Sequence, residues 1–176
     1  MNNRKYNIIR YDWPFHFISF VCSILPDNII FIKLRGTLLS YFVKSAGKNL
    51  QIGRDVTIYN PSNISFGNNV YIAKGCFFSC GDCIEIGNNI LFGPYVVIVT
   101  SDHSYSNGAY YWGAPKNIGK VIIKDGAWVS AHTTILSQSI IETGTLIAAN
   151  AVFKGDSLPR GIYGGIPAKL IKIAID

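Results

Sequence analysis

The sequence predicts an all-β fold, a three-sided parallel β-coil, and the spacing of its apolar residues is the main reason. In the second half of the chain an apolar residue recurs every six positions without a slip, at Ile123, Val129, Ile135, Ile141, Ile147 and Phe153. Neither a helix nor an ordinary strand has this period. The residue four positions after each of the first five is small or β-branched: Ala127, Thr133, Ser139, Thr145 and Ala151. This is a hexapeptide repeat, in which six residues form one flat face with the large apolar side chain inside.

The same pattern recurs upstream in three shorter runs, within 52–62, 66–78 and 86–98. The apolar interval is eight residues instead of six at 58–66 and at 78–86, which predicts a small insertion at a corner of the coil in each case. The dipeptides 68–69 and 88–89 are both Asn-Asn preceded by Gly, which suits corners that need a positive φ. The pattern is lost over 99–121, so a long loop is expected to interrupt the coil there.

The segment before the coil, 1–49, is predicted to be helical. The apolar stretch 13–25 is too short to span a membrane, which needs about 20 residues, and no small-residue cleavage site follows it. Three roles are open. The helices cap the open end of the coil, they pack on a neighbouring subunit, or they rest on the inner membrane surface through five basic residues: Arg4, Lys5, Arg10, Lys33 and Arg35. The expected location is therefore cytoplasmic, with peripheral membrane contact as the variant.

The remaining divisions follow from the repeat. The coil is expected over 50–155, including the loop, and a turn and tail over 156–176. Within that tail, 168–174 is predicted to form a short helix.

The length of 176 residues, with 49% apolar and 15% charged residues, is typical of a single globular domain. The net charge of +6 comes without a long basic run or a patch of arginines interleaved with aromatics. A nucleic-acid partner is therefore not predicted. An anionic cofactor or an anionic membrane surface explains the positive charge equally well.

Three of the four cysteines stand close together, as Cys76-x3-Cys80-x2-Cys83. This spacing resembles the cluster-binding motif of radical SAM enzymes. However, Cys76 falls at a small-residue position of the repeat, and no fourth ligand accompanies the three. We therefore predict reduced structural thiols and no metal site.

One of the three histidines is the candidate catalytic residue. His16 lies in the apolar N-terminal segment and His132 at a corner-facing position of a repeat, where structural roles are expected. His103 stands where the coil gives way to the loop, which leaves room for ligands. An imidazole is the usual group for taking a proton from a hydroxyl near neutral pH. The adjacent Asp102 is a poor partner for orienting it, because neighbours in an extended chain point to opposite faces.

Taken together, these motifs resemble the hexapeptide acyltransferases of the maltose and galactoside O-acetyltransferase type. The similarity runs from about residue 50 to 172 and includes the His-bearing segment, the interrupting loop, the stretch Lys-Asp-Gly-Ala-Trp-Val at 124–129 and the closing Gly-Gly-Ile-Pro-Ala-Lys at 164–169. Within this family the chain is most similar to sugar and capsule or exopolysaccharide O-acetyltransferases. The resemblance implies a left-handed parallel β-helix, a homotrimer with active sites between subunits, and acetyl-CoA as co-substrate.

The same resemblance assigns roles to individual residues. His103 becomes the general base for direct attack of an acceptor hydroxyl on the thioester, without an acyl-enzyme, and a backbone N–H meets the oxyanion. The positions that correspond to cofactor contacts are Trp128, Ala131, Ala149, Lys154, Lys169 and Lys172. For Trp128, packing against the next subunit is an alternative.

The sugar or glycan acceptor is the least determined part of this interpretation. An Asn and an Asp that help to hold the acceptor in the family are replaced here by Ala73 and Gly81, although Asp82 is adjacent. These departures leave the identity of the acceptor open. The candidate acceptor-binding residues are Asp82, Asp102, Tyr105, Tyr110 and Trp112, the aromatic ones as a stacking surface for a sugar ring.

Two other functions stay open at this point. The same coil supports N-acetylation of a nucleotide-linked amino sugar, and His103 does not discriminate between an amine and a hydroxyl acceptor. A catalytically silent β-helix scaffold is the alternative from another class. The joint presence of His103, the loop and the basic C-terminal end argues against a scaffold.

Overall fold

The computed structural model describes the backbone of residues 3–175 and the side chains of 4–110 and 118–175. Helices dominate the first 40 residues and strands the rest. The helical segments are α1 (Asn3–Asn7), a π-helical segment (Ile8–Asp12), α2 (Trp13–Cys22), α3 (Ile29–Ser40) and a 3-10 turn (Pro61–Asn63). The strands are β1 (Ser45–Ala46), β2 (Gln51–Ile52), β3 (Thr57–Tyr59), β4 (Ile64–Phe66), β5 (Val70–Ile72), β6 (Phe77–Ser79), β7 (Ile84–Ile86), β8 (Ile90–Phe92), β9 (Val97–Val99), β10 (Ser101–Ser106), β11 (Ala109–Ile118), β12 (Val121–Ile123), β13 (Trp128–Val129), β14 (Thr134–Ile135), β15 (Ile140–Ile141), β16 (Leu146–Ile147), β17 (Val152–Phe153), β18 (Gly161–Gly164) and β19 (Lys169–Ile173).

The short strands stack into three parallel sheets, which form the three faces of a solenoid. Face A contains β1, β4, β7, β12 and β15; face B contains β2, β5, β8, β13, β16 and β18, with β19 added at its edge; face C contains β3, β6, β9, β14 and β17. From β1 to β17, each strand belongs to the next face in the order A, B, C, apart from the inserted hairpin β10–β11; the last two strands, β18 and β19, both belong to face B. The predicted three-sided parallel coil is confirmed.

The predicted apolar positions form the core. The six residues at intervals of six, from Ile123 to Phe153, are all buried, and so are the five small residues between them. Because successive strand residues point in and out alternately, each two-residue strand after β1 buries one large side chain and leaves its neighbour partly or fully accessible. Burial of a column of such residues drives the winding of the chain.

The length of a turn varies along the solenoid. Partners in adjacent turns are 20 residues apart in the first three turns, as in Ser65↔Glu85, and 18 apart in the turns that follow the hairpin, as in Thr134↔Val152; Leu146 and Ile162 in the last pair of turns are 16 apart. The two extra residues lie between faces C and A, at 59–64 and 79–84. The hairpin β10–β11 is inserted at the same corner one turn later. Both predicted corner insertions are therefore confirmed, and the predicted loop is an antiparallel β-hairpin.

Left-handed backbone conformations make the other two corners. Between faces B and C, five consecutive turns each place a residue with φ between 57° and 73°: Asp55, Gly75, Tyr95, His132 and Asn150. Between faces A and B the equivalent column includes Asn69 and Asn89, both with φ 56°, as the Asn-Asn dipeptides predict. Asn tolerates this conformation better than most residues, because its short side chain bonds locally.

Side chains of the A–B corner also form a ladder between turns. The backbone N–H of Asn68 donates to Oδ1 of Asn88, and that of Asn88 donates to Oδ1 of Asp125, each at 2.8 Å. The hydrogen bonds that Asp125 accepts from the backbone N–H of Asn88 and, to a lesser extent, from the Asn88 side chain lower the pKa of its carboxyl. The ladder stabilises the register of consecutive turns.

The N-terminal helices pack on the first turn of the solenoid through α3. Gly36 is buried, and a Cβ atom at its position would lie 1.8 Å from the carbonyl oxygen of Leu50. Beside it, the buried guanidinium of Arg35 donates from Nε to the carbonyl oxygen of Ile52 at 2.9 Å and pairs with the carboxylate of Asp27. In the described residues, 3–175, no helix is long and apolar enough to cross a membrane.

The C-terminal tail differs from the prediction. The predicted helix over 168–174 is wrong, because Lys169–Ile173 forms strand β19, antiparallel to β18. The parallel pairing of face B also continues through β18, beyond residue 155. Edge pairing of β18 explains the outcome, since its free backbone groups offer hydrogen bonds that a helical tail would leave unmade. The division of the chain at residues 49 and 155 remains a prediction.

Candidate active site

His103 lies on β10, at the irregular part of the hairpin. It is paired with Pro115, and the pairing register shifts on both sides of it, since Ser101 pairs with Ile118 and Ser104 with Tyr111. Such bulges twist a strand locally and redirect its side chains, and they occur often beside active sites. His103 is exposed. The corner between faces C and A thus presents a histidine to a ligand.

Asp82 lies directly at the base of this hairpin, one turn earlier. Its backbone N–H donates to Oγ1 of Thr100 at 2.8 Å, and its carboxylate accepts from the backbone N–H of Cys83 at 2.7 Å. Thr100 is buried and immediately precedes β10. The structure therefore brings Asp82 next to the start of the strand that carries His103.

The other predicted acceptor residues lie further along the hairpin. Tyr105 and Tyr110 pair across it with ring centroids 5.0 Å apart, and both rings are exposed. Asp102 is exposed and adjacent to His103 on β10. The side chain of Trp112 lies outside the described residues. Two aromatic rings at a hairpin end offer a surface on which an apolar sugar face can stack.

Most of the predicted cofactor residues lie on face B or at its edges. Trp128 is half-exposed on β13, and its register partners run in order through Leu146 and Ile162 to Lys172 on β19. With neighbouring strands about 4.8 Å apart, this row is roughly 14 Å long. Lys169 belongs to the same edge strand and is exposed. The row thus runs from the aromatic Trp128 to one cation, Lys172, and Lys169 lies three residues away on the same edge strand.

Ala131 and Ala149 occupy the same register position in consecutive turns, at the corner between faces B and C. The backbone N–H of Asn150 donates to the carbonyl oxygen of Ala131 at 3.0 Å, which fixes the stacking. Their methyl groups leave this corner shallow, so a thin ligand can approach the backbone. Lys154 does not join them: it follows β17 at the C–A corner, two turns after Val99.

The predicted residues therefore fall into two sets on opposite sides of one protomer. The base set, Asp82, Asp102, His103, Tyr105, Tyr110 and Lys154, lies at the C–A corner and its hairpin. The face-B set is Trp128, Ala131, Ala149, Lys169 and Lys172. In a three-sided solenoid, face B is the side opposite the C–A corner. A single chain does not bring the two sets together.

Sequence reasoning missed a polar cleft at the same corner. A cavity of about 440 Å³ lies between the N-terminal helices and the first turn, lined by Arg4, Asp12, Asn60, Asn63 and neighbouring residues. Burial raises the pKa of Asp12, and the charge of His16 opposes this shift. No sequence signal predicts the cleft, because its two walls are about 50 residues apart in the chain and meet only in the fold.

The remaining candidates have structural environments. His132 stacks on Tyr95 with ring centroids 5.1 Å apart. Cys76 and Cys80 are buried, and burial raises the pKa of the Cys76 thiol to about 11. Among the described residues, no three His, Cys, Asp or Glu side chains are placed to hold a metal ion.

Comparison with known proteins places the chain in a family. It is 32% identical to the dTDP-4-amino-4,6-dideoxy-D-glucose acyltransferase of Escherichia coli over 155 residues, which cover 73% of this chain and 81% of that protein. No protein-family model matches the sequence. The chain belongs to the hexapeptide-repeat acetyltransferases, an enzyme family whose left-handed parallel β-helix it shares.

Solved structures agree with this fold. A galactoside acetyltransferase in complex with coenzyme A superposes with a TM-score of 0.83 at 18% identity, over 98% of this chain and 83% of that one. A variant of AntD, an N-acyltransferase from Bacillus cereus in complex with dTDP-4-amino-4,6-dideoxyglucose and coenzyme A, superposes with a TM-score of 0.63 at 26% identity. That match covers 76% of this chain and 86% of that one.

Proposed function

We propose that this protein is an acetyl-CoA-dependent O-acetyltransferase that acetylates a hydroxyl of a sugar or polysaccharide precursor. The observation that carries the proposal is the position of His103: an exposed imidazole on a bulged strand, with Asp82 at the base of that strand and two exposed tyrosines beyond it. A base, a carboxylate and a stacking surface at one corner suit a polyhydroxyl acceptor.

In the proposed reaction His103 accepts the proton of the acceptor hydroxyl while the oxygen attacks the thioester carbonyl carbon. The C–S bond then breaks, and the CoA sulfur leaves and takes up the proton from the imidazolium. The products are an acetyl ester and free CoA, and no acyl-enzyme forms. A backbone N–H stabilises the oxyanion of the tetrahedral intermediate.

The face-B set supports acetyl-CoA as the donor. Ala131 and Ala149 leave the backbone accessible to a narrow pantetheine arm, and Lys169 and Lys172 are exposed cations that suit nucleotide phosphates. Structures similar to this chain include one of an acetyltransferase with coenzyme A bound. These residues fit the cofactor in chemical character.

Because the two sets lie on opposite sides of one protomer, we propose that the site is completed by a second copy of the chain. A homotrimer with the C–A corner of each subunit against face B of the next brings His103 and Trp128 into one cleft. The outward side chains of face B favour such contact, since Leu91, Trp128, Leu146 and Ile162 form an apolar row.

N-acylation of a nucleotide-linked amino sugar is the second candidate, and one observation favours it. The curated relative at 32% identity is named for a dTDP-linked amino sugar. The coverage of the matches argues against N-acylation. The dTDP-amino-sugar acyltransferase and AntD match only about three quarters of this chain, whereas the structure of galactoside acetyltransferase matches 98% of it.

The test measures CoA release from acetyl-CoA with a panel of free sugars, nucleotide-linked amino sugars and oligosaccharides. We expect His103→Ala to lower kcat by about 10²–10⁴. His132→Ala is the matched control, because it removes another exposed histidine at a corner, and it should retain wild-type activity. Products cleaved in mild alkali are esters, and products that survive are amides. Equal activity of wild type and His103→Ala would contradict the assignment of the base.

Mixing two inactive variants tests the shared site. His103→Ala lacks the base, and Ala149→Trp blocks the shallow corner of the face-B set. If each site uses one subunit's hairpin and the next subunit's face B, a random 1:1 mixture recovers about a quarter of the sites. A site confined to one chain recovers none.

A further inference from the structure

The N-terminal helices carry an apolar stripe that faces away from the solenoid. Trp13, Phe17, Phe20 and Ile24 recur at helical spacing along α2 and just beyond it, so they share one face. Their exposed fractions are 70%, 68%, 73% and 81%, whereas Phe15 on the opposite face is fully buried. Side chains of this size are normally buried, and a contiguous exposed set marks an interaction surface.

Helix α3 extends the surface. Its outward residues Ile29, Ile30 and Leu34 are exposed, and Lys33 stands between them in the sequence. Helices α2 and α3 contact each other, so their outer sides form adjacent parts of one end of the molecule. We call the exposed residues of the two helices the N-terminal apolar surface: Trp13, Phe17, Phe20, Ile24, Ile29, Ile30 and Leu34.

Positive charge is concentrated in the same part of the chain. The first 49 residues contain seven basic and two acidic residues, whereas the remaining 127 contain nine and eight. Five of the six net charges therefore belong to the N-terminal segment. One of its two acidic residues, Asp27, is paired with the buried Arg35, and the exposed cations include Arg4, Lys5, Arg10 and Lys33.

We propose that the N-terminal apolar surface binds peripherally to an anionic lipid bilayer. Aromatic and aliphatic side chains on one side of a short helix, accompanied by Lys and Arg, are the chemistry of helices that lie in the membrane interface. The cations then meet lipid phosphates while the rings of Trp13, Phe17 and Phe20 enter the headgroup boundary. A second copy of the chain is a poorer occupant, because self-association through this surface brings two strongly positive segments together.

Vesicle sedimentation tests the proposal with the full-length wild-type protein. The amount of protein that sediments with vesicles of phosphatidylcholine and 30% phosphatidylglycerol should be at least about tenfold larger than the amount that sediments with pure phosphatidylcholine vesicles. Adding 0.5 M salt should remove most of this difference. Phe17→Ser/Phe20→Ser should lower partitioning about tenfold or more. The control Leu158→Ser/Ile175→Ser removes two exposed apolar side chains outside the N-terminal segment and should bind as wild type does.

A charge variant completes the test. Arg4→Glu/Lys5→Glu should also reduce binding to anionic vesicles, with little effect on the small amount bound to neutral ones. Circular dichroism and acetyl-CoA binding report whether each variant is folded, so the outcome does not depend on transfer activity. The proposal is overturned if the Phe17→Ser/Phe20→Ser variant binds vesicles as well as wild type does, or if wild type binds to no vesicle. A change of oligomeric mass in that variant, without loss of vesicle binding, assigns the surface to a subunit interface instead.

Discussion

Replacing Gly36 by alanine tests how the N-terminal helices are attached to the solenoid. The added Cβ would lie 1.8 Å from the carbonyl oxygen of Leu50 and 2.5 Å from its carbonyl carbon, where about 3.4 Å is an ordinary contact. Helix α3 must therefore retreat by about 1.6 Å. Both clashing atoms belong to the backbone, so no side-chain rotation relieves the contact.

The cost follows from what the retreat disrupts. The hydrogen bond from Nε of Arg35 to the carbonyl oxygen of Ile52, now 2.9 Å, lengthens beyond bonding distance, at about 1.5–3 kcal/mol for a buried charged donor. Overpacking adds about 1–3 kcal/mol. The better helix propensity of alanine returns about 1 kcal/mol. We expect Gly36→Ala to lower the free energy of unfolding by about 1.5–5 kcal/mol.

Urea unfolding followed by tryptophan fluorescence measures the change, and hydrogen exchange of α3 amides shows whether the helix detaches locally. The control is Thr37→Ala, since Thr37 is the exposed neighbour on the same helix and should change stability by less than about 0.7 kcal/mol. If Gly36→Ala is as stable as wild type, with unchanged exchange in α3, then the close packing of this helix on Leu50 does not hold it in place.

Two further predictions concern the core. Ile135 is fully buried between two neighbouring turns. Ile135→Ala should therefore lower the free energy of unfolding by about 2–5 kcal/mol, and Ile135→Val should lower it by about 1 kcal/mol. Equal effects of the two substitutions in urea unfolding would contradict this and show that the core refills the cavity. Cys76 should not react with a thiol reagent at pH 8 in the native protein, since its pKa of about 11 keeps the buried thiol protonated, and rapid labelling located by peptide mapping would contradict this.

The fold was largely predictable because its repeat is visible residue by residue. Each buried position is separated from the next by six residues, and a departure to eight, as between Ile58 and Phe66, locates a corner insertion directly. The tail was not predictable in this way. Ile171 and Ile173 are β-branched and favour a strand, but the free edge of β18 with which Lys169–Ile173 pairs is a tertiary feature.

The candidate site was predictable in part. His103 and Asp82 were identified in the sequence, and the structure places them at one corner. Trp128 lies on face B, opposite the corner that carries His103, and this position becomes clear only when the strands of each turn are assigned to their faces. The cleft between Asp12 and Asn60 depends on how the N-terminal helices dock, and no repeat or motif carries that information.

The corner between faces C and A has a consequence for how such enzymes diversify. It accepts two extra residues in two successive turns and an entire hairpin in the next, yet β9 and β14 still pair in register after the hairpin. Loop length at this corner thus varies while the fold is kept, whereas at the other two corners the buried strand residues stay six positions apart, as in Phe66, Ile72 and Phe78. New acceptor preferences can therefore evolve, or be engineered, by exchanging segments between Leu136 and Ile140 in the following turn while the scaffold stays unchanged.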